Sequence, residues 1–498
     1  MKRLFTIFLS LCLCISVLTS CRNETTDETT QAPEQTTQSS ENTNNEKPEM
    51  PENSQPKTAK ELWDKIDRSM NFLKSYELDG TGHLSFNMMG AKFELNLTAK
   101  EICFAEYEND FYDYSFSDST ITISMPSWGE LQTETMKETS IEAFHNGKMF
   151  ISKESSERTQ KLYSSLTKEE YIAYSENKSS STDDVNFNDC VNASFSRNDD
   201  GTWNLSYSGY TKKTMDQIVG SLEMDNDMLD LNILDMEVTI LADQQYRVKE
   251  MNIKFIFDEK NGEISAPSFE LNSKYSNYNK ATPITDTLNP EDYTEIEDCR
   301  LIFDLEDMIE DIENKKDGSF VLELEQTLSI PSLNQTQIYT ETDTVSYGEH
   351  NGQYFYDIQI NSNDEYNGMK VSYANGIQTV DFSGKKESVS QSADEAKALI
   401  TELINTAGYS ASYVSNIKNL GGGVYEIQCD QPDASIYESI FIEYAGELTS
   451  IQQTLRITVK NGSIVKIEND TLAKGTASTG FSSIEMQVHL SSVNTFLP

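Results

Sequence analysis

Apolar residues keep helical spacing only briefly before the pattern changes. Trp63, Ile66, Met70 and Leu73 follow at steps of three, four and three, one stripe of a helix. Thr58-Ala59-Lys60-Glu61 stands ahead of it as a capping box, in which the Thr hydroxyl and Glu carboxylate satisfy free amides. From Tyr76 the period becomes two. Leu78, Gly80, Gly82, Leu84 and Phe86 fall on one face, and Phe93, Leu95 and Leu97, then Ile121, Ile123 and Met125, repeat the alternation. These are antiparallel strands joined by polar turns. Phe144, Met149 and Ile151 bracket Asn146-Gly147, a hairpin signal.

The second half repeats this order. Leu305, Met308, Ile309 and Ile312 form a helical stripe, and Phe320, Leu322, Leu324, Leu328 and Ile330 then alternate as a strand. Asn375-Gly376 sits where Asn146-Gly147 sits, and a second capping box follows in each half, at Thr167–Glu170 and Ser392–Glu395. The clearest match is ungapped: Gly201–Leu205 pairs with Gly423–Ile427. At the same offset Met215, Ile218, Val219 and Leu222 pair with Tyr437, Ile440, Phe441 and Tyr444. Val238, Ile240, Val248 and 251–257 close the first copy as strands, and Leu455 to Ile467 around Asn461-Gly462 close the second.

No βαβ alternation requires a parallel sheet, and each sheet must cover its apolar face. The pattern therefore predicts an α+β chain of two tandem curved antiparallel sheets, each wrapped around helices packed on its concave face. The first domain spans 58–285 and the second 298–498, with Pro283 to Glu297 as the hinge.

Charge narrows the partners. With 82 acidic against 39 basic side chains the net charge is −43, which repels nucleic acid and bare anionic membrane. The N-terminus has its own composition: Lys2 and Arg3 precede an apolar run from Leu4 to Leu18, the anatomy of a signal peptide and short for a spanning helix. Leu18-Thr19-Ser20-Cys21 resembles the lipobox of bacterial lipoproteins. That resemblance implies cleavage of residues 1–20 and acylation of Cys21, with diacylglyceryl and palmitate chains as the membrane anchor. Residues 22–57 are Thr, Ser, Asn, Gln, Glu and Pro with two apolar side chains, Ala32 and Met50, a tether that cannot fold alone. As a coil it reaches on the order of 30–35 Å.

The lipobox, the tether and an amphipathic helix leading into a curved antiparallel sheet resemble the lipoprotein-localisation-factor (LolA/LppX-like) superfamily, here in tandem form on a Gram-positive cell envelope. The resemblance covers Thr58 to Pro498 and rests on element order. It implies unclosed half-barrels, each enclosing a hydrophobic cavity for acyl chains. Trp63, Ile66, Met70, Met215, Ile218 and Val219 would line the first, and Leu305, Ile309, Ile312, Ile440, Phe441 and Tyr444 the second. A dry packed core is the other reading of the same stripes.

Chemistry is sparse. His83, His145, His350 and His489 form no HExxH pair, and GxSxG and GxxxxGK[ST] are absent. Neither a metal centre, a cofactor nor a catalytic constellation is expected, so the chain reads as a non-enzyme. Asp225-Asn226-Asp227 with Asp230 and Asn232, and Asn198–Gly201, read as acidic turns. Cys103, Cys190, Cys299 and Cys429 remain after processing, two per copy, and fit buried free thiols better than bridges, since Cys429 aligns with Tyr207.

The expected function is a lipid-anchored extracytoplasmic protein binding a lipid or other hydrophobic ligand in two repeated pockets. The alternative is an envelope interaction or structural module with filled cores, binding a protein or glycan through aromatic turns at Tyr107, Phe111, Tyr112, Tyr114 and Trp128.

Overall fold

The computed structural model describes residues 55–497, apart from 89–90, 108–109, 128–129, 157, 180–186, 188–189, 212–214, 216–232, 258–263, 351, 365, 407, 431–436, 438–439, 443–445 and 479–482. Cys21, the leader and the tether lie outside the described residues, as do Ile218, Val219, Tyr444, Trp128 and the Asp225–Asn232 turn.

The fold is mainly β rather than α+β: among the described residues 63% are strand and 17% helix, and neither sheet closes into a barrel. Strand lengths overturn the expected class. The second strand runs over Ala91–Tyr107, the third over Asp110–Ser127 and the fourth over Glu130–His145. Much of that stretch is Ser, Thr, Asp and Glu, which reads as loop, yet backbone pairing on both sides satisfies its amides and holds it extended. Among the described residues helices are correspondingly few and short.

Two compact units divide the chain, one of Met1–Thr159 with Leu166–Asn289, the other of Gln160–Ser165 with Pro290–Pro498. In the first, helix α1 (Ala59–Asn71) starts where Thr58 Oγ1 accepts from the Glu61 amide at 3.1 Å. It leads into β1 (Ser75–Met88), followed by β2, β3 and β4 as bounded above and β5 (Lys148–Ser155). Helix α2 (Lys168–Ser179) opens with Thr167 and Glu170 as a reciprocal cap. Strands β7 (Cys190–Arg197), β8 (Trp203–Tyr210), β9 (Ile233–Ala242), β10 (Val248–Phe257) and β11 (Ile264–Ser276) complete the unit. The strands lie in the order β5-β4-β3-β2-β1-β11-β10-β9-β8-β7, so the last strand closes on the first (Leu78 opposite Tyr275) and two meanders run outward.

The second unit repeats this topology. Helix α3 (Arg300–Glu313) leads into β13 (Gly318–Ile330), β14 (Gln335–His350), β15 (Gln353–Ser362), β16 (Lys370–Ala374), β17 (Ile377–Phe382) and β18 (Lys385–Ser390). Helix α4 (Ala393–Ile404) follows, capped reciprocally by Ser392 and Glu395. Strands β19 (Val414–Gly421), β20 (Val424–Asp430), β21 (Leu448–Lys460), β22 (Ser463–Ser478) and β23 (Ser483–Leu497) end it. The 11-stranded order is β18-β17-β16-β15-β14-β13-β23-β22-β21-β20-β19. β8 and β20, matched residue for residue in sequence, hold corresponding places. Asn146-Gly147, Asn375-Gly376 and Asn461-Gly462 all turn with positive φ at both residues, as two-residue hairpins require.

The stretch 160–165 is a strand of the second unit. β6 (Thr159–Ser165) pairs in parallel with β12 (Thr294–Glu295), Thr294 opposite Leu162, inside the stretch predicted as a hinge.

Candidate functional site

The faces of the two sheets that carry the helices hold most of the sequence-predicted lining. In the first unit Ile66 and Met215 are buried in one cluster with Leu84, Leu97, Tyr207, Val238 and Leu271, and Trp63 and Met70 pack partly buried at its margin. Trp63 stacks on Phe187 with centroids 5.6 Å apart, and Met70 Sδ accepts from the Val248 amide at 3.4 Å. The residue that α1 buries completely is Leu62, which the stripe omitted. In the second unit α3 buries Leu305, Ile309 and Ile312 as expected, together with Ile302. Phe441 and half-buried Ile440 belong to a different cluster, over Ile451, Ala473, Met486, Val488 and Leu490. The structure thus brings Trp63, Ile66, Met70 and Met215 together but separates α3 from Phe441.

The aromatic-turn expectation is corrected at Tyr112 and Tyr114, while the Tyr107, Phe111 and Trp128 side chains lie outside the described residues. Tyr112 and Tyr114 are buried, and the Tyr112 hydroxyl donates to the Ile284 carbonyl at 2.8 Å and accepts from the Ile284 amide at 2.9 Å, so neither presents a ring for a glycan. The histidines are scattered: His83 bonds Asn96, His145 bonds Asn146, and His489 bonds Asp470. Among the described residues no group of three or more His, Cys, Asp or Glu could hold a metal ion. Cys299 and Cys429 are buried and Cys190 is half-buried; burial pushes Cys429 up to about 12, so it stays protonated and inert.

What the sequence stripes missed is a polar band across the second sheet. Opposed residues in an antiparallel ladder share a face. Asp343, Leu322 and Asn494 lie side by side on β14, β13 and β23; Glu341, Leu324, Ser492 and Asn469 form the next row, and Gln326, Leu490, Thr471 and Gln453 the next. This is the helix-bearing face, because Asn494 Nδ2 donates to the carbonyls of Leu403 (3.0 Å) and Ile404 (2.7 Å) at the end of α4. Part of the band satisfies itself: Asn469 Oδ1 accepts from Gln453 Nε2 at 3.1 Å and from Thr471 Oγ1 at 2.8 Å. Other acceptors of the band are not satisfied in this way. Asp343 Oδ1 and Asn494 Oδ1 are fully buried with no hydrogen-bond partner among the described residues, on side chains each 3% exposed. Burial first and the neighbouring Glu341 carboxyl second raise Asp343 to about 7. Tyr339 donates to Glu341 on the same face.

Beyond the band the surface turns apolar again. Leu324, Leu328, Ile440, Leu448 and Ile484 are half-buried around the floor of Phe441, Met486, Val488 and Leu490. In sequence these polar residues looked like the solvent side of ordinary strands. Only their period of two with Met486, Val488 and Leu490 signalled that Ser492 and Asn494 face inward.

No protein-family model matches the chain, and no curated protein matches its sequence. Among solved structures it is similar to a DUF1329 family protein from Desulfovibrio piger, 11% identical, over 40% of this chain and 91% of that one, at a TM-score of 0.18. It is also similar to a putative AttH from Nitrosomonas europaea, 7% identical, over 84% and 93%, at a TM-score of 0.11. OprB of Pseudomonas putida follows at 7% identity, over 88% and 95%, with a TM-score of 0.10. Scores this low carry no inference about fold or function.

Proposed function

We propose that this chain is a non-catalytic binding protein of LolA/LppX-like type, anchored by lipid at Cys21 on the extracytoplasmic face of a bacterial membrane, and that it shelters a hydrophobic ligand against the helix-bearing face of its sheets. The carrying observation is the ring of half-buried Leu324, Leu328, Ile440, Leu448 and Ile484 around a fully buried apolar floor in the second unit. Apolar surface left partly open on a covered face gains about 25 cal/mol for each Å² that a ligand hides. The first unit supports the same reading less strongly, since its margin residues Trp63 and Met70 are engaged by Phe187 and Val248. The net charge of −43 would keep a loaded protein off anionic lipid.

The test is titration of the full chain, carrying Cys21→Ser to remove the anchor, with N-phenyl-1-naphthylamine. The expected outcome is saturable fluorescence enhancement, displaced by medium-chain amphiphiles and reduced at least about fivefold in affinity by Leu328→Trp, which fills the ring. Enhancement that never saturates, or that Leu328→Trp leaves unchanged, overturns the assignment to this face.

A further inference from the structure

The two units place a buried carboxyl at the same point of their sheets but satisfy it differently. Tyr76 and Phe320 are the first aromatic residues on the helix-bearing face of each leading strand. Superposing them in register sets Leu78 on Leu322, Glu101 on Asp343 and Tyr275 on Asn494. In the first unit the Tyr76 hydroxyl donates to Glu101 Oε1 at 3.0 Å within the core. In the second the corresponding ring is Phe320, which has no hydroxyl, and Asp343 Oδ1 is left without a donor. Asn494 adds a second orphan oxygen one strand beyond Leu322, its own amide hydrogens already committed to α4.

What this place lacks is positive charge. The charge acting on Asp343 is the Glu341 carboxyl on its own strand. The residues facing it from β13 and β15 are Leu322, Leu324 and Ile360, and from β23 Asn494 and Ser492, none of them cationic. On α4, which packs against β15, Lys397 directs its Nζ at the Tyr354 ring, 5.9 Å from its centroid. Tyr339 sits beyond Glu341, with Asp364 among the charges acting on it. A hydroxyl group brings an acceptor as well as a donor, whereas a primary ammonium brings three donors and no acceptor. Two Cα atoms separated by one intervening strand are about 10 Å apart, and one nitrogen making two hydrogen bonds bridges acceptors roughly 5–6 Å apart.

We propose that the second unit binds an amphipathic amine, its ammonium held between Asp343 Oδ1 and Asn494 Oδ1 over Leu322 and its apolar body laid along Leu324, Leu328 and Leu490. This rests on the hydrophobic-ligand reading and names the head group that reading leaves open. Because burial raises the Asp343 carboxyl to about 7, an incoming ammonium displaces its proton, and affinity rises with pH until that carboxyl is ionised.

The experiment compares decylamine, decyl glucoside, decanoate and spermidine by calorimetric titration of the full chain carrying Cys21→Ser, at pH 6 and pH 8. Decylamine is expected to bind at least about tenfold more tightly than the other three, and about tenfold more tightly at pH 8 than at pH 6. Asp343→Leu is expected to weaken decylamine about 10- to 100-fold while leaving decyl glucoside unchanged, without lowering the melting temperature, since it removes a buried carboxyl. Glu341→Gln, which keeps the shape of the band, is expected to move the rise in affinity to lower pH without removing it, since burial remains. Equal binding of the three decyl compounds, indifferent to Asp343→Leu, overturns the ammonium site and leaves the hydrophobic-ligand reading standing. Preference for decyl glucoside replaces the ammonium with a polyol, and tight spermidine binding removes the apolar part. No binding by any of the four overturns both readings.

Discussion

Asp113 sits on β3 with its carboxyl against α2, where Tyr171 donates to Oδ2 at 2.9 Å. Burial raises Asp113 to about 6, the Tyr171 bond lowers it, and the Glu142 carboxyl raises it again. A carboxyl whose folded value exceeds its unfolded value of about 3.9 binds more protons when folded. Its contribution is therefore most favourable below pH 4 and is lost as pH rises through 6. Asp113→Asn keeps an acceptor for Tyr171 and removes the charge. The variant should be more stable than the parent by about 1–2 kcal/mol at pH 7.5, with the difference closing near pH 4 in thermal unfolding. A parent curve flat between pH 4 and 7 would contradict the assignment. None of this was legible in sequence: Asp113 lies in a run of Asp, Ser and Tyr that resembled a turn, and its meeting with Tyr171 needs two elements far apart in the chain. Asp343 escaped for the same reason. A period of two tells which residues share a face but not whether a carboxyl on that face finds a donor.

At the scale of elements, local chemistry carried well. Thr58, Thr167 and Ser392 cap helices where their sequences place them, and the Asn-Gly pairs turn hairpins. Strand length did not carry, because paired polar strands such as β3 and β4 satisfy their backbones without a continuous apolar face. Glycine in strands was read only as part of an alternation, and its purpose appears in packing. A Cβ on Gly475 of β22 would stand 2.2 Å from the Glu447 carbonyl oxygen and 2.5 Å from a Phe441 ring carbon. The bare backbone there lets Phe441 seat its ring on the sheet. Gly475→Ala should lift that ring and cost about 1–3 kcal/mol, seen as a lower denaturant midpoint with an unchanged slope. Gly462→Ala, at φ 75° with open space around it, should cost only about 1 kcal/mol, from backbone strain. Equal losses in the two variants would show that the Phe441 seat contributes nothing.

For the whole molecule, the repeat seen in sequence is real in topology, with first strand closing on last in both sheets, but the chain does not apportion itself to the two units in one cut. Gln160–Ser165 belongs with Pro290–Pro498. Gln160 Nε2 donates to the carbonyls of Ala411 at 2.9 Å and Val414 at 2.6 Å, Ser164 Oγ accepts from the Cys299 amide at 2.9 Å, and the Ile296 amide donates to the Tyr163 carbonyl at 2.8 Å. Leu162 is buried. Nothing in the residue pattern signals this, because a short strand of mixed polarity is equally at home beside its neighbours in the chain and across a long loop closure, and closure over such a distance costs only slightly more entropy than over a short one. The second unit is therefore incomplete without a segment made well before it in the chain, and its entry helix α3 begins on an amide, that of Cys299, held by Ser164. Leu162→Asp in the full chain places a charge in that seat and should cost about 3 kcal/mol or more. Hydrogen exchange should then quicken at 294–299 and 411–414 while β9, β10 and β11 keep their protection. Loss of protection in β9–β11 with 411–414 unchanged would return residues 160–165 to the first unit.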